Sequence, residues 1–282
     1  MVGGPASNGT DRLRAGAPAG FVVGAVAGLL AVVLLAFAGV STSPEPAPVR
    51  PPGDARSGQA RPGDPPARRP GGALRVMPLG DSITAGVGSR SGGSYRTALY
   101  DRLRGAGLDV DFVGSQRSGP GADPDHEGHG GWTVERITAE VDGWLAAYEP
   151  DVVLLHIGTN NVTRGEPPAR IAGKLTALVD RIRAARPHTY VLVSQIVSSR
   201  VPAERVVGHR YNARILRIAA ERGPFVWPVP QSTVTGGDLR DIHHPNDSGY
   251  LKMARNFYTA LTRVLPAPPA TAPLAAVPVV QG

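Results

Sequence analysis

The 282-residue sequence contains no cysteine, so disulfides, thiol chemistry and cysteine-based metal sites are excluded. An oxidising compartment is compatible with that lack and is not indicated by it. The chain also lacks a concentrated charge of one sign on its folded part. The formal charge is +7, but residues 1–75 hold eight Arg against four acids, which leaves only +3 for the remainder. A nucleic-acid interface needs clustered basic residues on the folded body, so no nucleic-acid partner follows. The predominance of Arg over Lys, with abundant Gly, Pro and Ala, reads as genomic composition. A hydrophobic fraction of 41% is ample for one core.

The first seventy residues do not read as globular. Residues 1–20 are small and polar with Arg12 and Arg14, and Phe21 to Val40 runs twenty residues without a charge. That length spans a bilayer. Two readings stay open. Ala36-Phe37-Ala38 fits the cleavage site of a signal peptide, while an uncleaved anchor with its Arg-bearing end in the cytoplasm obeys the positive-inside rule. Either one places the rest of the chain outside the cytoplasm, with membrane contact through the N-terminal segment. Residues 41–72 hold nine prolines and almost no large apolar residue, and read as an extended spacer. A spacer slightly favours the anchor.

From residue 73 to 265 strands and helices alternate. Strands are predicted at Leu74–Leu79, Asp109–Val113, Asp151–Ile157, Tyr190–Ile196 and Phe225–Val229, the last interrupted by Pro228 and so placed at an edge. Helices are predicted at Tyr95–Arg104, Val134–Tyr148, Ala169–Arg186, Ala203–Glu221 and Asp247–Leu265. This alternation predicts an α/β domain with a five-stranded parallel sheet and helices on both faces. Residues 266–282 read as a Pro- and Ala-rich disordered tail.

Four segments at or after the strand ends carry the residue types of an acyl-transfer site. Gly80-Asp81-Ser82 follows the first strand. Gly128-His129-Gly130-Gly131-Trp132 follows the second, Gly158-Thr159-Asn160-Asn161 the third, and Asp241-Ile242-His243-His244-Pro245 precedes the last helix. Acyl transfer needs a nucleophile, a base, a group to orient the base and donors for the developing oxyanion. Ser82 would attack, His244 would take its proton and Asp241 would fix the imidazole. The Ser82 and Gly131 backbone N–H groups and the Asn160 amide would form the oxyanion hole.

On these four blocks, residues 74–265 resemble the SGNH hydrolases, or GDSL-type esterases. Gly80-Asp81-Ser82-Ile83 has Ile where Leu is commoner, Gly131 and Asn160 match the second and third blocks, and Asp241-x-x-His244-Pro245 matches the last. The resemblance implies a three-layer α/β/α, flavodoxin-like fold, a serine mechanism without metal or other cofactor, and ester hydrolysis. Asn161 stands where the family usually has Asp, which implies altered local hydrogen bonding. The stretches Val76–Thr84, Val110–Ser115 and His126–Trp132 look most like acetylxylan-esterase-type carbohydrate esterases, which implies a small acyl group, acetyl, on a glycan.

Blander assignments compete with these. His126 and His129, beside Asp125 and Glu127, could suggest a metal site, but they lack the helical i, i+4 spacing of a zinc pair and sit among glycines. His243 reads as a neighbour of His244 with no required role. Asp81 reads as a turn-fixing residue, and Trp132 as packing with sugar stacking left open. Three other functions share these motifs: a lipase or lysophospholipase, which the absence of an apolar lid insertion counts against; an acyltransferase; and a non-catalytic glycan-binding envelope domain. The oligomeric state has no signature in the sequence.

Overall fold

The computed structural model describes residues 72–265. The readings of 1–20, 21–40, the spacer 41–72 as far as residue 71 and the tail 266–282 lie outside the described residues. Among the described residues no helix is long and apolar enough to cross a membrane.

In chain order the elements are β1 (Leu74–Gly80), α1 (Ser82–Ala85), α2 (Ser94–Gly105), β2 (Val110–Phe112), β3 (Gln116–Arg117), β4 (Asp125–Gly128), α3 (Val134–Tyr148) and β5 (Val152–His156). There follow α4 (Thr159–Thr163), α5 (Pro168–Ala185), β6 (Tyr190–Ser194), α6 (Pro202–Ala220), β7 (Val226–Val229), a 3-10 turn (Gly236–Asp238) and α7 (Asp247–Val264). Every helix and strand expected from the sequence is present, with ends displaced by two residues at most.

Because side chains alternate across a strand, the largely apolar β1 and β5 feed two cores. Leu74, Val76, Val152 and Leu154 pack with Tyr95, Leu99 and Leu103 of α2 and Met253, Phe257 and Leu261 of α7. Met77, Leu79, Val153 and Leu155 face α3, α5 and α6 through Ile137, Leu175 and Ile215 among others. The result is a sheet between two helical layers, the three-layer α/β/α arrangement expected.

The strand count is a correction: the sheet has seven strands rather than five. Its parallel part keeps five positions, but one of them is shared. β2 pairs with the first half of β1, Leu74 to Val76, and β4 with its end, Leu79 and Gly80, both parallel. β5, β6 and β7 continue the parallel sheet on the other side, and β3 adds an antiparallel pair to β4. The gap between β2 and β4 explains how Pro78 sits in a central strand. Val76 and Gly80 accept backbone hydrogen bonds on that side, from Val113 and His129. Pro78 shares their parity, so its missing N–H falls where no strand is there to be paired.

Candidate active site

Ser82 is the first residue of α1, directly beyond the carboxyl end of β1. Gly80, the last residue of β1, lies against the neighbouring strand. A Cβ on it would come within 2.2 Å of the His156 carbonyl oxygen, so no larger residue fits. Asp81 then caps the helix, its Oδ1 accepting from the Ile83 backbone N–H at 3.0 Å. At the first helical position the Ser82 N–H has no intrahelical acceptor.

Asp81 is wholly buried. Burial lifts its carboxyl to about 7, against the lowering pull of the Ile83 N–H and the Thr159 hydroxyl. Its Oδ2 lacks a full hydrogen bond. An acid whose folded pKa is raised binds more protons folded than unfolded, so stability falls as pH rises between about 4 and about 7. Asp81→Asn keeps the cap and removes that titration. Relative to wild type it should gain on the order of 2–4 kcal/mol across this interval. Urea midpoints at pH 5 and pH 8 check this; parallel shifts in the two proteins would exclude it.

The other end of α1 is held by Arg96 of α2. This side chain is 1% exposed and pairs with no carboxylate among the described residues. It donates to the Thr84, Ala85, Gly92, Ser118 and Pro124 carbonyls and to Ser118 Oγ at 2.9–3.3 Å. Burial lowers its pKa to about 10, still leaving it charged at neutral pH. Ser118 Oγ in turn donates to the Ala85 carbonyl and contacts His126 Nε2 at 2.8 Å. The sequence signal for Arg96 was its place on the apolar stripe of α2 with Leu99 and Leu103.

His244 approaches Ser82 from across the chain, the Ser82 Oγ lying 2.9 Å from His244 Nε2. His244 Nδ1 lies 2.8 Å from Asp241 Oδ2, and Asp241 Oδ1 accepts the His243 and His244 backbone N–H groups, each at 2.8 Å. Burial pushes the Asp241 carboxyl up, but these hydrogen bonds and the His244 charge outweigh it and hold it at about 2. A carboxylate can only accept, so His244 Nδ1 carries the proton and Nε2 is left to accept from Ser82. A hydroxyl bonded to an imidazole that is itself held by a carboxylate is the arrangement that activates serine. His243, read as idle, does tie this loop down. Its Nε2 lies 2.5 Å from Glu204 Oε2 on α6, and Ser199 donates to the same oxygen.

Gly131 and Asn160 are brought together by one contact: Asn160 Nδ2 donates to the Trp132 carbonyl at 2.9 Å, leaving its second N–H. Gly131 is exposed with φ +75°, the left-handed region that favours glycine. Asn161 explains its departure from Asp. Its Oδ1 accepts the Val134 N–H at 3.0 Å, capping α3 where Thr133 does not, and its Nδ2 donates to Glu135 at 2.8 Å and Glu166 at 2.7 Å. A carboxylate could not donate, and would face two others. Asn161→Asp should therefore cost about 2–4 kcal/mol, measured by urea unfolding. A loss under about 0.5 kcal/mol would show that Lys174, bound to both glutamates, absorbs the change.

The aromatic and histidine side chains of this loop are held by their neighbours. Trp132 has His129 stacked against it at 4.2 Å and the Arg136 guanidinium over its ring at 4.5 Å, so the ring packs within the protein. The His126 and His129 region holds protein hydrogen bonds: His126 Nδ1 accepts the Gly128 N–H, and His129 Nε2 pairs with Glu127 at 2.5 Å. Burial lowers His126 to about 3, keeping it neutral. Among the described residues no group of three or more His, Asp or Glu could hold a metal ion.

The profile of the GDSL-like lipase/acylhydrolase family matches residues 79–252. A family 3 carbohydrate esterase of Clostridium thermocellum is 35% identical with a TM-score of 0.61, the match covering 68% of this chain and 97% of that one. An acetyl esterase, solved as a serine-to-alanine mutant with acetate ion, is 30% identical over the same shares with a TM-score of 0.60. A multidomain esterase of Ruminococcus flavefaciens is 27% identical over 220 residues, 65% of this chain; this stretch spans only 28% of that protein.

Proposed function

The chain belongs to the GDSL-like lipase/acylhydrolase family and is an esterase of the SGNH type, and from that premise we propose that it removes small O-acyl groups, acetyl first among them, from carbohydrate outside the cytoplasm. The observation that carries this reading is the hydrogen-bonded chain Ser82–His244–Asp241 at the end of the sheet where α/β folds bind ligands. Ser82 Oγ attacks the acyl carbon and its proton passes to His244 Nε2. The same proton then goes to the departing sugar oxygen, leaving an acyl-serine that water, deprotonated by His244, hydrolyses. The Ser82 and Gly131 N–H groups and the Asn160 amide receive the oxyanion. One such donor lowers the barrier by about 2.7–4 kcal/mol.

The small acyl group is supported by the likeness to an acetyl esterase and to a carbohydrate esterase, and by a half-exposed serine. The location rests on the apolar run at 21–40. Hydrolysis of p-nitrophenyl acetate should exceed that of the octanoate, and Ser82→Ala should lower it by at least about a thousandfold. Preference for octanoate would move the reading to lipid esters. Equal turnover by Ser82→Ala would remove Ser82 from the chemistry.

A further inference from the structure

Helix α6 carries four arginines, Arg205, Arg210, Arg214 and Arg217, and a single acid, Glu204, which is taken up by His243 and Ser199. None of the four arginine side chains makes an ion pair or hydrogen bond among the described residues. Arginines nearby do pair: Arg181 with Asp142, and Arg222 with Asp180. The 19 residues of α6 extend about 28 Å, so its unpaired charges form a ridge rather than a point.

The surface is concave on both sides of this ridge. One cleft of about 570 Å³ lies between α6, the segment after β6 and residues 231–236, with Arg200, Arg205 and His209 beside the apolar Ile196 and Leu216. The second, about 520 Å³, lies between α6 and the start of α5, with Arg210, Arg214 and Arg217 against Pro167 and Pro168. Ala213 lines both, and neither is lined by an Asp or Glu.

The first cleft abuts the catalytic loop. The Arg200 backbone N–H donates to the Ile242 carbonyl at 3.0 Å, and its guanidinium to the Leu239 carbonyl at 2.9 Å. The start of α6 is fastened to His243 through Glu204. A polymer lying along α6 is thereby led toward His244. Arginine forks match carboxylates in shape and charge, and exposed apolar side chains such as Leu216 suit the C–H face of a sugar ring. Two concave clefts fit a chain-like ligand better than a flat bilayer.

We propose that α6 and its flanking clefts bind a polysaccharide bearing carboxylates, a glycan containing uronic acid residues, and that this is the alcohol half of the ester presented to Ser82. The proposal rests on the esterase reading above. Its test is titration calorimetry of the full chain carrying Ser82→Ala with glucuronate-bearing xylo-oligosaccharides and with the same oligosaccharides after carboxyl reduction. Binding should be at least about tenfold tighter to the carboxylated form, weaken with added salt, and be lost on adding Arg205→Glu and Arg214→Glu. In the Ser82 protein the same two replacements should leave p-nitrophenyl acetate turnover unchanged. Equal affinity for the two forms, or none for either, overturns the proposal. So does binding to phosphatidylserine vesicles that depends on Arg205 and Arg214 in a protein that ignores the glycan. Failure of the esterase reading appears separately, as p-nitrophenyl acetate turnover that survives Ser82→Ala.

Discussion

Asp241→Asn is expected to lower kcat/KM by about 10³–10⁴-fold while leaving the fold in place. The two jobs of this carboxylate separate cleanly. Oδ1 accepts two backbone N–H groups, and an asparagine oxygen can keep both. Oδ2 accepts from His244 Nδ1, where an asparagine amide would donate instead. The imidazole would then have to carry its proton on Nε2, the atom facing Ser82 Oγ at 2.9 Å. A protonated Nε2 cannot take the serine proton, so the base is lost although every residue is in position. Steady-state kinetics with p-nitrophenyl acetate measures the fall, and urea unfolding should find stability within about 1 kcal/mol of wild type. Activity within tenfold of wild type would mean that Asp241 does not set the tautomer.

The second large effect is on stability. Arg96→Met conserves bulk but removes the guanidinium donors that link the end of α1 to the β3–β4 hairpin, leaving only Ser118 Oγ on the Ala85 carbonyl among the hydrogen bonds described. Carbonyls left buried without a partner cost about 1–3 kcal/mol each, so a total loss of about 3–5 kcal/mol is expected, a fall in Tm of about 10 °C. Arg96→Lys should recover little of this, because a point charge with three donors cannot reach carbonyls from five residues. Because Ser82 lies on the same four-residue helix, kcat should fall in both variants beyond what the folded fraction explains. A variant whose Tm stays within about 2 °C of wild type would show that water replaces the guanidinium.

Much of this was legible in the sequence because apolar alternation and four short blocks carry it. β1, β5 and β6 are read from their buried runs, and Ser82, His244 and Asp241 from residue types at strand ends. What escaped reading is polar and buried. β4 is Asp-His-Glu-Gly, a stretch no strand propensity favours, and it is held by side-chain bonds from Ser115 to Glu127 and between Ser118 and His126. Arg96 stands out in the sequence only by its place on the apolar stripe of α2, and its acceptors, scattered from residue 84 to 124, are what make it central. The amide at 161 makes sense only beside Glu135 and Glu166, and the pairing of His243 only beside Glu204. Such partners are distant in sequence, and hydrogen-bond complementarity leaves no periodicity to detect.

The stack beside Gly131 also gives the molecule an optical handle. Of three tryptophans, Trp132 and Trp144 lie against His129 at 4.2 and 5.0 Å, while Trp227 sits on the far edge strand β7. Two of the three indole emitters are thus concentrated where the Gly131 loop meets α3. A ligand that shifts that loop alters their shared environment, so occupancy of the site can be followed in unlabelled protein by ultraviolet fluorescence.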